Sequence, residues 1–156
     1  GASAVTDAEG HFELTDMSGR DDQTIGAFTS DGLKAWATPV DPQTTPEETF
    51  HLAPLGSIVV TAVGADGRPI TDAKICVGGV GTEMGLPMPG PAKVFERDVS
   101  LDANGQARVE NLVAGLVYHV ALQDPERPGW LLGGTEAMVH GGREAVEVRL
   151  DLGGQE

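Results

Sequence analysis

The chain has 156 residues, with 24 acidic against 10 basic side chains and a formal charge of −14. That charge repels nucleic-acid phosphates and anionic membrane surfaces, and no apolar run reaches the length of a membrane-spanning helix, so neither nucleic acid nor membrane insertion is expected. An apolar share of 40% with 22 glycines and 10 prolines describes a foldable chain of short elements, large enough for one domain or two small ones.

In chain order, Thr6-Asp-Ala-Glu-Gly-His-Phe-Glu-Leu14 opens on a turn, because Asp bonds its own backbone and Gly10 tolerates positive φ. Ile25 to Trp36 (IGAFTSDGLKAW) reads as two strands around an acidic loop, and TFHLAP at 49–54 as a further strand. Ile58, Val60 and Ala62 alternate with Val59, Thr61 and Val63, a strand apolar on both faces that belongs centrally or against a neighbour. Ala65-Asp66-Gly67-Arg68-Pro69 is a turn, and Lys74 begins a strand holding Cys76. The glycine-rich stretch at 78–92 (GGVGTEMGLPMPGPA) reads as a long connection. Phe95, Arg97, Val99 and Leu101 are assigned to one strand face. A turn at Asp102-Ala-Asn-Gly105 follows, then Tyr118, Val120 and Leu122 alternate, with the Tyr118 ring inward and its hydroxyl expected at the rim. Val146, Val148, Leu150 and Leu152 alternate in the last strand. The period of two throughout predicts an all-β fold.

The chain also repeats itself. TDAEGHFELTDM at 6–17 matches LDANGQARVENL at 101–112, and Ile25–Trp36 matches His119–Trp130 in length, acidic loop and terminal tryptophan. The unit of about 95 residues suits one β-sandwich. Nothing before residue 6 matches the strands at 55–63, 74–78 and 93–100. The expected division is therefore the C-terminal half of a first sandwich at 1–54, a complete sandwich at 55–152 and a tail at 153–156. Half a sandwich leaves an apolar face and open edges. Its missing strands are expected upstream in the native protein, in another chain, or replaced by contacts with the second unit.

GSIVVTAVGADGRPITDAKICV at 56–77 resembles the opening strand, Asp-Gly-x-Pro turn and second strand of the carboxypeptidase regulatory-like domain. LDANGQARVENLVAGLVYHVAL at 101–122 resembles that family's later turn and Tyr-bearing strand, and TDAEGHFEL at 6–14 its Thr-Asp-x-x-Gly-x-Phe signature. Leu101 and Ala107 depart from it, standing where Thr and an aromatic are usual. The resemblance implies tandem Ig-like or prealbumin-like antiparallel β-sandwiches of seven strands, the first incomplete at its N-terminus. It also implies an accessory module of an extracellular, periplasmic or cell-surface protein.

No catalytic, cofactor-binding or metal-binding residue is assigned. His11, His51, His119 and His140 stand singly, without the His-x-x-Glu pair of a zinc peptidase. Tyr118 is the single tyrosine, too few for the iron site of related dioxygenases, and Cys76 reads as an inert core thiol. A Lys74–Asn111 isopeptide bond, of the kind found in related sandwiches, lacks an evident buried acid to promote it. Asp7, Asp66 and Asp102 read as turn formers, with an acidic-end calcium site as the alternative. The candidate contact residues are Trp36 and Trp130, which follow matching acidic loops, and Met84 and Met88, which sit on the glycine-rich connection. The leading expectation is a non-enzymatic spacer, scaffold or protein-interaction module. Its partners would be other domains of a larger protein or another chain; glycan or Ca2+ binding is the alternative.

Overall fold

The computed structural model describes residues 5–13, 23–40, 49–80, 90–127, 129–142 and 145–152. Those residues form ten β-strands and no α-helix, so among them no helix is long and apolar enough to cross a membrane. The protein is all-β, as the alternation predicts.

Seven strands build a sandwich. One sheet holds β10 (Val146–Asp151), β4 (Gly56–Val63) and β7 (Gln106–Leu112), in that order. The other holds β6 (Phe95–Ser100), β5 (Lys74–Gly79), β8 (Val117–Gln123) and β9 (Leu131–Met138). Between them lies a single apolar core in which Ile58 and Val60 of β4 meet Ile75 and Val77 of β5 and Tyr118, Val120 and Leu122 of β8, all at most 1% exposed. The strand apolar on both faces is β4, central in its sheet and half-buried even at Val59 and Thr61. Most pairings are antiparallel, but β10 pairs with β4 in parallel, from Val146↔Ile58 to Asp151↔Val63. Alternation sets which face of a strand is buried and is silent on the direction of its neighbour.

The face assigned to β6 is broken within the strand. Ile75 pairs with Val99 while Val77 pairs with Glu96, so β6 carries one residue more than β5 across that step. Asp98 takes up the bulge with φ of 61° and is held there by Gln123, which accepts from the Asp98 N–H at 2.9 Å and donates to its carboxylate at 2.8 Å. The bulge reverses the phase. Leu101 is buried and Val99 half-buried, but Phe95 lies 43% exposed on the outer face, where the Arg97 guanidinium sits 5.2 Å from its ring centre.

A smaller sheet precedes the sandwich, with β1 (Gln23–Phe28), β2 (Lys34–Val40) and the two-residue β3 (Ala53–Pro54) in that order. Its central strand is joined to the sandwich. Trp36 bridges to Ala114 in parallel, the Ala37 N–H donates to the Ala114 carbonyl at 3.0 Å, and Ala35 and Ala37 belong to the same core as β4, β5 and β8.

Candidate functional site

Five aspartates make the loops. Asp7, Asp31, Asp66, Asp102 and Asp124 each accept on Oδ1 from the N–H two residues on, at 2.8–3.0 Å. The repeated sequence of the first turn becomes a repeated geometry. Asp7 also takes the His11 N–H and Asp102 the Gln106 N–H, each at 2.9 Å, and Gly10 and Gly105 stand at φ of 85° and 74°. Asp7, Glu9 and His11 bring three potential ligand atoms within 4.8 Å of one another, all on exposed residues. The matching turn keeps the same backbone bonds with Asn104 and Gln106 in place of Glu9 and His11, so the turn itself accounts for the cluster.

The two tryptophans occupy different surroundings. The first acidic loop closes with the Thr29 N–H on the Lys34 carbonyl, and the second, one residue longer, with the Asp124 N–H on the Trp130 carbonyl. Trp36 therefore falls inside β2, half-buried and close against Gly115, whereas Trp130 precedes β9 and is 61% exposed. The Arg127 guanidinium lies 4.8 Å from the Trp130 ring centre and donates to Asp124 at 3.0 Å. Met84 and Met88 lie outside the described residues.

Tyr118 corrects the expected rim position. It is fully buried, and its hydroxyl donates to the Val113 carbonyl at 2.6 Å, satisfying both groups inside the core. Burial holds the phenol well above its ordinary ionisation range. The anchor fixes the 113–116 segment, to which the N-terminal sheet attaches. Cys76 is half-buried on the outer face of its sheet, and its thiol is pushed up mainly by burial.

Charged side chains converge in a shallow groove beside β7, lined in part by Lys93, Glu96, Arg108, Glu110 and Asn111. Each of its cations has a carboxylate partner: Lys93 meets Glu96, and Arg108 meets Glu110 at 2.7 Å while also donating to Ser57 at 3.3 Å. Asn111 is exposed in β7 and Lys74 exposed in β5, on different sheets; the backbone N–H that the Asn111 carbonyl accepts is that of Lys93. Among the described residues no buried side-chain polar atom lacks a hydrogen-bond partner. The groove is an internally neutralised surface.

The most specific geometry lies at the joint between the small sheet and the sandwich. A Cβ at Gly115 would stand 2.5 Å from the Ala37 carbonyl oxygen and 2.6 Å from the Trp36 ring. At Gly90 it would stand 2.4 Å from the Asp31 oxygen, and at Gly141 2.4 Å from the Pro54 oxygen. All three have positive φ. Three loops of the sandwich thus approach the backbone of the β1–β2 turn, β2 and β3 more closely than any other residue type permits. Only a signal of tertiary approach could have marked these glycines, because a turn glycine and a contact glycine look alike in sequence.

No protein-family model matches the chain, and no curated protein matches it. Among solved structures, BcpA, the major pilin subunit of Bacillus cereus, aligns with a TM-score of 0.44 and 16% identity over 62% of this chain. The alignment spans 28% of that pilin's length.

Proposed function

We propose that the chain is a non-catalytic β-sandwich module, a spacer or scaffold segment of a larger exported or cell-surface protein, related to the carboxypeptidase regulatory-like domains. In this reading 1–54 is the back half of one repeat and 55–152 a whole one. The observation that carries it is the joint. Ala35 and Ala37 enter the sandwich core while Gly90, Gly115 and Gly141 admit the neighbouring backbone. Contacts of that kind hold consecutive repeats at a fixed angle, which a spacer requires and a flexible tether would not supply.

Backbone 15N relaxation on the full chain tests the reading. Amides of β1, β2 and β8 are expected to share one overall correlation time. A separate, faster time for the β1–β2 amides would remove the basis for a spacer. The second reading, glycan binding, has one observation in its favour, the exposed indole of Trp130 braced by Arg127. Calorimetric titration with oligosaccharides and with calcium, beside Trp36→Ala and Trp130→Ala, discriminates the two. Heat that is lost in Trp130→Ala would move the assignment to ligand binding.

A further inference from the structure

The parallel pairing of β4 and β10 has a mechanical consequence. The chain enters the sandwich at Gly56, the start of β4, and leaves it after Asp151, the end of β10. Because the two strands run the same way, in register from Val146↔Ile58 to Asp151↔Val63, entry and exit lie at opposite ends of the pair. Tension along the polypeptide therefore drags β4 toward its start and β10 toward its end. The displacement runs along the strands, across the interstrand hydrogen bonds, and loads them together. In an antiparallel pair the same tension would act at one end and open the bonds one after another.

Two further features resist such sliding. β4 is also held on its other edge by β7, from Gly56↔Leu112 to Thr61↔Gln106. The side chains that would have to slide, Ile58, Val60, Val148 and Leu150, are buried in the core. The β1–β2 hairpin has the opposite geometry. Gln23 and Val40 face each other at its open end, so a pull through the chain peels it.

We infer that residues 56–151 form a force-bearing unit whose resistance is set by the β4–β10 pair. The inference deepens the spacer reading and rests on it for its biological sense: a spacer in an exported protein transmits tension along its chain. It predicts an order of events under load, with the N-terminal hairpin opening first and the sandwich later, in one step.

Single-molecule pulling on the full chain tests it with two attachment geometries, each in a Cys76→Ser background. Handles at Pro54→Cys and Leu152→Cys load β4 and β10 in shear. Handles at Pro54→Cys and Ala145→Cys load the same strands from one end. The shear geometry is expected to unfold in one step of roughly 30 nm, the reach of an extended chain of this length. Its force should be several-fold higher than in the peeling geometry at equal pulling rate, because forced unfolding follows the barrier along the pulled direction. Equal forces in the two geometries would overturn the inference, since a generally stable core resists both alike. Chemical denaturation of both cysteine variants, giving the same midpoint, confirms that geometry and not stability separates them. An independently tumbling β1–β2 hairpin beside a high shear force would instead count against the spacer reading alone.

Discussion

The β1–β2 and β8–β9 hairpins come from matching stretches of sequence and end in different states. Both turn on an aspartate whose Oδ1 takes the N–H two residues on. β8 is the more deeply placed, flanked by β5 and β9, with Tyr118, Val120 and Leu122 in the core. Residues 24–27 of β1 are only half-buried, and Phe28 is 46% exposed. It is β2 that reaches the core, through two alanines. The N-terminal stretch also makes a ring contact of its own. The Phe12 and Phe50 rings stack at 5.5 Å, while Ala107, the counterpart of Phe12 by sequence offset, pairs with β4. Turn chemistry is local and forms alike in both hairpins; burial is collective and depends on strands being present on both sides.

The largest expected effect is at the joint. Gly115→Ala places a methyl against the Ala37 oxygen and the Trp36 ring and strains a φ of 98°, so it should cost about 3 kcal/mol. Gly67→Ala, at φ of 81° with nothing within 4 Å, bears backbone strain alone and should cost about 1 kcal/mol. Urea denaturation of the two variants measures the difference. Equal losses would mean that the small sheet contributes nothing through this contact, and the two regions would then be separate in energy as well as in burial.

Next in size is the buried phenol. Tyr118→Phe leaves the Val113 carbonyl without its partner and should lower stability by about 1–2 kcal/mol. By sequence offset Thr24 stands in β1 where Tyr118 stands in β8, so the phenol anchor is confined to β8. If the loss is real, amides near Val113 and Ala114 should exchange faster in the variant, and those of β1 should change less. Unchanged exchange at 113–116 would show that the hydroxyl does not hold the segment.

The smallest effect concerns the two loops. The Thr29 hydroxyl, then the Leu33 N–H, hold Asp31 below its ordinary value of 3.8; the Glu126 N–H, then Arg127, do the same for Asp124. A carboxylate depressed in the folded state adds stability above its unfolded value, and that contribution fades as pH falls through the folded value. Both loops should therefore hold above about pH 4 and loosen below it. NMR titration of the Leu33 and Glu126 amides should give midpoints under 3.8, and Thr29→Ala should raise the first while leaving the second. A shift of both together would mean that the loops respond to global unfolding.

Much of this architecture was legible in the residues. Every Asp-and-glycine turn named from sequence forms, because an aspartate side chain bonds its own backbone whatever surrounds it. The alternating runs of β4 and β8 bury the residues that alternation picks out, and that of β10 buries Val148 and Leu150 with Val146 and Leu152 half-buried beside them. Alternation misses the phase of β6, since a bulge costs one residue and leaves as its trace only an aspartate, one of the residue types that tolerate positive φ. The tryptophan match at one offset concealed a loop one residue longer, which set Trp36 within a strand and Trp130 in solvent.

Local chemistry, then, was determined by the sequence alone: where the chain turns, which strand faces are apolar, and that the fold is all-β. These follow from interactions among residues a few positions apart. The parallel seating of β10 beside β4, the inward hydrogen bond of Tyr118 and the closeness that requires Gly90, Gly115 and Gly141 were decided by tertiary structure. Each depends on which distant segment comes alongside, and a strand's own side-chain pattern carries no record of its neighbour's direction or distance.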